Sequence, residues 1–69
     1  MNQFQIDFTK GYMCALANII ASHGSGTEIE NAFRDNYTSL KEMREIGIEE
    51  RDIELLMPVI KEVDRKRSL

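Results

Sequence analysis

At 69 residues, with nine bases against twelve acids and a formal net charge of -3, the chain is one domain at most and lacks the basic footprint of a sequence-independent nucleic-acid binder. Cys14 is the only cysteine and His23 the only histidine, so an intrachain disulfide is excluded and any metal site would have to be assembled from scattered carboxylates. No cofactor or metal is expected, and a domain that buries only about 60% of its unfolded surface must draw its stability from helix packing, self-association or both.

Met1 to Ile6 alternates Phe4 and Ile6 and reads as a short extended lead-in. A first helix is predicted over about 8–23, capped by Asp7 or Thr9. Phe8, Tyr12, Leu16, Ile19 and Ile20 share one stripe of it. The other faces carry Met13, Cys14, Ala15, Ala17 and Ala21, so the helix is apolar most of the way round and is expected at the centre of the fold. Its apolar run, Gly11 to Ala21, is shorter than the roughly 20 residues of a membrane span and is broken by Asn18. Lys10 and Ala15-Leu16-Ala17 imitate parts of a secretory signal, but the first nine residues hold Asp7 and no base. No membrane contact is expected, and a cytoplasmic location with Cys14 reduced is the reading that follows.

Gly24 ends this helix in a left-handed conformation, and Ser25-Gly26 forms the turn. Thr27 and Glu30 have capping-box spacing before a second helix, about 28–36, whose apolar face is Ile29, Ala32 and Phe33. Ser39 and Glu42 repeat the box before a third, about 40–46, with Leu40, Met43 and Ile46 facing in. Gly47 stops it, and Ile48 is placed for the apolar contact that accompanies such a stop. The fourth helix, about 50–67, carries Ile53, Leu56, Met57, Ile60 and Val63 on one stripe, with a kink expected near Pro58. The fold class that results is all-α, a small four-helix domain spanning 1–69.

Catalysis has little to work with. Cys14 and His23 lie nine residues apart, about 13 Å along one helix, too far to form a nucleophile–base pair. The chain is therefore read as not an enzyme. The acidic run Glu42, Glu45, Glu49, Glu50, Asp52 and Glu54 surrounds the Gly47-Ile48 corner and is the candidate surface for a basic protein partner. The basic end, Asp64-Arg65-Lys66-Arg67-Ser68-Leu69, carries the alternative reading of a small DNA-binding transcriptional regulator. A helix-turn-helix built on Leu40 to Ile46 would offer only Lys41 and Arg44 beside Glu42 and Glu45.

Ser39-Leu40-Lys41-Glu42-Met43-Arg44-Glu45-Ile46-Gly47-Ile48, followed by Asp52-Ile53 and Val59-Ile60, resembles the second half of a sterile alpha motif domain over residues 39–63. That resemblance implies protein–protein association. Gly11-Tyr12-Met13-Cys14-Ala15-Leu16-Ala17, with Ser22-His23-Gly24 and a capped helix after it, is similar to small uncharacterised proteins of bacteriophages and prophages. It implies an accessory protein that engages or inhibits a host component, in the host cytoplasm, and brings no activity with it.

The function expected is thus that of a non-catalytic protein-interaction module. Its first partner is itself: the first helix has more apolar faces than three short helices readily cover, so a homodimer is expected through Tyr12, Ala15, Leu16 and Ile19, with Gly11, Ala15 and Ala17 allowing close approach. The second partner is an unidentified protein.

Overall fold

A computed structural model describes residues 1–67; Ser68 and Leu69 of the basic end lie outside the described residues. The chain is four helices: α1 (Gln3–His23), α2 (Thr27–Asp35), α3 (Leu40–Glu45) and α4 (Glu50–Arg67), with no strand among the described residues. The Cα radius of gyration, 11.3 Å, equals the ~11 Å of a compact domain of this length.

Helix α1 starts at Gln3, where the alternation of Phe4 and Ile6 predicts an extended lead-in. The cap is Asn2, not Asp7 or Thr9. The Asn2 side-chain oxygen accepts the Gln5 backbone N–H at 2.8 Å, and the Gln5 side-chain oxygen accepts the Asn2 N–H at 3.0 Å. This reciprocal pair satisfies two of the free N–H groups of the first turn and fixes the helix start there. Helix α2 is capped by Gly26 with no side-chain hydrogen bond, so Thr27 opens the helix instead of capping it. Ser39 does cap α3, accepting the Glu42 N–H at 3.1 Å. The Glu42 carboxylate answers the Ser39 hydroxyl at 3.0 Å rather than the backbone.

Two glycines set the turns. Gly24 has φ 81° and ψ 177°, a positive-φ conformation with extended ψ that only glycine populates freely. Gly47, at φ 88°, closes α3 with both bonds of a Schellman motif: its own N–H reaches the Arg44 carbonyl at 3.3 Å, and the Ile48 N–H reaches Met43 at 3.0 Å. Ile48 is buried beside Met43 in the core, as that motif requires.

Each of the other helices packs on α4, and α1 makes the largest of these contacts. Along α4, Ile53, Leu56, Val59, Ile60 and Val63 are all buried; burying each such side chain is worth ~1.5–3 kcal/mol. Opposite them stand Met13, Leu16 and Ala17 of α1, Phe33 of α2 and Met43 of α3. Helix α4 runs without interruption from Glu50 to Arg67, with Pro58 inside it. Pro58 and Glu54, whose carbonyl the proline leaves without an amide partner, are both on the exposed face. Water can therefore serve the freed carbonyl.

The central position goes to α4, because all three other helices pack on it, whereas α1 leaves its outer face uncovered. Met13, Leu16 and Ala17 face in, whereas Phe8 and Ile19, read as part of the core stripe, face out.

These turns separate two glycines by sign. Gly47→Ala forces an alanine to positive φ and should lower stability by about 1–2 kcal/mol in a urea titration. Gly11 lies mid-helix, and an added Cβ there meets nothing within 4 Å, so Gly11→Ala should raise the stability of dilute protein by about 0.5–1 kcal/mol.

Candidate functional site

Three surfaces compete for function: the acidic corner, the basic end of α4 and the outer face of α1.

The acidic corner is not an uncompensated anionic patch. Arg44 Nη2 is 3.2 Å from Glu50, and Lys41 Nζ is 3.9 Å from Glu45. Glu42 accepts from the Ser39 hydroxyl. Asp52 is 5% exposed and is held by Arg51 Nη1 at 3.0 Å, so it is withdrawn from any partner. Its burial follows from its place in the α4 stripe, four residues before Leu56. Glu49 and Glu54 remain exposed.

The basic end is engaged within the chain. Lys66 Nζ lies 2.8 Å from Glu30 of α2 and 3.8 Å from Glu62. Arg65 pairs with Glu62. The Arg67 guanidinium sits 4.0 Å from the centre of the Tyr37 ring, a cation–π contact. Tyr37 in turn meets Phe33 edge to face at 5.7 Å and donates its hydroxyl to Asp64 at 2.9 Å. These contacts fasten the last turns of α4 to α2 and the loop after it. The hydrogen bond to Asp64 raises the Tyr37 phenol above its ordinary value near 10, with burial and the Asp64 charge adding to it and the Arg67 cation opposing.

The outer face of α1 is different in kind. Phe4 is 78% exposed, Phe8 52% and Ile19 42%, and Ala15 is exposed between them. At 100° per residue these four fall within about 60° of one another, a single stripe along the helix. The charges of α1, Asp7 and Lys10, project 60° or more off that stripe. Tyr12 borders it, stacked on Phe8 at 5.8 Å, with its hydroxyl donated to the Ala32 carbonyl at 2.7 Å. Beside the stripe, where α1 meets the start of α2, is an open hollow of about 450 Å³ walled by Ile19, His23, the Gly24–Gly26 turn, Thr27, Glu28 and Ile29.

Of the four residues expected at a self-interface, Ala15 and Ile19 are on this face, Tyr12 is at its edge, and Leu16 is 5% exposed in the chain's own core. Phe4 lies outside that expectation because its alternation with Ile6 reads as an extended lead-in. Its signal was the Phe4–Phe8–Tyr12 spacing of four, together with the Asn2–Gln5 cap.

No helix among the described residues is long and apolar enough to cross a membrane, and among them no group of three or more His, Cys, Asp or Glu is gathered as a metal site. No family model, curated protein or solved structure matches the chain.

The Tyr37 contact sets a pH dependence. A phenol whose folded pKa is raised contributes stability that is complete below its unfolded value, near 10, and is lost as pH rises through the folded value. Tyr37→Phe should therefore cost about 1 kcal/mol at neutral pH, and the gap from wild type should close above about pH 10 in parallel urea titrations. A gap constant to higher pH would contradict the Asp64 bond.

Proposed function

We propose that the chain is a non-catalytic protein-interaction module that docks through the outer face of α1. The observation that carries this reading is the uncharged stripe of Phe4, Phe8, Ala15 and Ile19. Two phenylalanine rings at these exposures present about 260 Å² of apolar surface, taking ~200 Å² for a whole side chain. Met1 beside them, 61% exposed, and Ile19 extend this into the roughly 300–600 Å² of the largest patch on a typical monomer, which is often functional. Looseness of the fold does not account for the exposure, since the chain is compact and its core is closed.

The resemblance of residues 39–63 to part of a sterile alpha motif domain supports the same class of function. The similarity of residues 11–24 to small phage and prophage proteins supports an accessory role toward a host component, in the cytoplasm. The alternative, a DNA-binding regulator using the basic end, draws little from a segment whose Arg65, Lys66 and Arg67 are each held by Glu62, Glu30 or Tyr37. The acidic corner, with half of its carboxylates ion-paired, is a weaker candidate than α1 for the same reason.

The double substitution Phe4→Ser, Phe8→Ser tests this reading. Phe4 is exposed and Phe8 half-buried on Tyr12, so dilute protein should stay cooperatively folded, its melting temperature lowered by about 5–10 °C. A protein cross-linked or co-purified with the wild type should be lost with this variant. Equal capture by both would contradict the reading, as would tight binding to random duplex DNA that falls steeply with salt.

A further inference from the structure

We propose that the occupant of the α1 face is a second copy of this chain, laid antiparallel across a two-fold axis between Gly11 and Tyr12. This rests on the reading of that face as a protein-docking surface and names its partner.

The first ground is the spacing of the stripe. Phe4 and Ile19 stand equally far from the midpoint between residues 11 and 12, and so do Phe8 and Ala15. An antiparallel copy turned about that midpoint therefore sets each Phe8 on the partner's Ala15, large against small. It also sets each Phe4 on the partner's Ile19. A two-fold interface needs such self-complementarity, because one patch must fit itself. Gly11 falls at the crossing point, where the added Cβ that would hold two helices apart is missing.

The second ground is shape. The hollow walled by Ile19, His23 and Ile29 lies at the end of α1 where the partner's Phe4 arrives. At about 450 Å³ it has ample room for a phenylalanine ring. Knob and hollow are 15 residues apart on one helix, about 22 Å, too far for a chain to fill its own hollow.

The third ground is charge. Each chain carries a formal -3, so two copies repel wherever charged faces meet. All but one of the acids and all but one of the bases lie from Glu28 onward. The stripe on α1 carries no charge of its own, and Glu28 in the wall of the hollow stands at its rim.

The area is of the right order. The two-fold doubles every contribution, so Phe4 and Phe8 alone supply about 520 Å² of the roughly 1,200 Å² at which specific interfaces begin. The remainder falls to Met1, Tyr12, Ala15, Ile19 and the walls of the hollow.

Sedimentation of the full chain over a micromolar dilution series, followed by directed cross-linking, tests this. The wild type should pass from twice the 8.0 kDa chain mass to the monomer on dilution. Phe4→Ala should raise the dissociation constant at least about tenfold. Glu54→Gln, on the exposed side of α4, should leave it unchanged. In a Cys14→Ser background, chains bearing Phe8→Cys mixed with chains bearing Ala15→Cys should form a disulfide. Either kind alone should not, since its two thiols would stand about 10 Å apart along the axis. A folded monomer at every concentration overturns the proposal, and so does efficient cross-linking of Phe8→Cys to itself, which a parallel pair would give. Should Phe4→Ala lose its circular dichroism, the mixed cross-link, made with Phe4 in place, still decides. A monomeric result removes the second copy alone; the wider reading of the face stands or falls on capture by the Phe4→Ser, Phe8→Ser chain.

Discussion

The apolar stripe of α4 is the constraint on which the rest of the structure depends. Ile53, Leu56, Val59, Ile60 and Val63 form one continuous buried ridge, and α1, α2 and α3 each close on it. Short helices such as α2, with nine residues, and α3, with six, are not stable on their own in water. They hold their shape because Phe33 and Met43 are buried against the common ridge. The ends of α4 are fixed separately. The Gly47–Ile48 stop turns the chain into its first residues, and the Tyr37–Asp64, Arg67–Tyr37 and Lys66–Glu30 contacts hold its last turns.

That arrangement decides which part of α1 is left over. One helix can cover about one side of another, and α4 takes the side carrying Met13, Leu16 and Ala17. Helix α2 takes the next flank, through the Tyr12 hydroxyl on the Ala32 carbonyl. What remains is apolar because α1 is apolar nearly all the way round, not because the core is incomplete. An all-round apolar helix in a closed domain leaves a surface that a second molecule can use. The same closure draws the charged candidates inward or into pairs: Asp52 into the interface with α1, and Lys66 onto Glu30.

Much of the architecture was legible in the residues. The Ser39 cap, the Gly47 stop and the Ile48 contact each follow from a residue type at a fixed offset, and local chemistry settles them. The period of α4 fixed its buried face for the same reason. The orientation of α1 was not legible: with Phe4, Phe8 and Ile19 on one side and Met13, Leu16 and Ala17 on another, hydrophobicity does not choose a face, and the docking of α4 does. The start of α1 is ambiguous in the residues because Phe4 and Ile6 fit a period of two as well as a helix, and only the Asn2–Gln5 box breaks the tie. The place of Pro58 depends on which side of α4 faces water, a tertiary fact. The basic end looked available because charge is visible in a sequence and a partner 36 residues away is not. Of the residues on the outer face of α1, Ala15 and Ile19 are exposed as their sequence reading needs, Leu16 is buried instead, and the late helix start hides Phe4.

Hydrogen exchange of backbone amides at two protein concentrations tests the central point most directly, that α4 organises the fold while α1 keeps a free apolar side. The slowest exchange should fall in α4 around Leu56 to Val63, excluding the proline, and in α1 around Met13 to Ala17, at both concentrations. The first turns of α1, around Phe4 and Phe8, should exchange readily in dilute protein and gain protection as concentration rises. Rapid exchange in α4, or protection around Phe4 and Phe8 already complete in dilute protein, would contradict this structure and its division of α1 into an inner and an outer face.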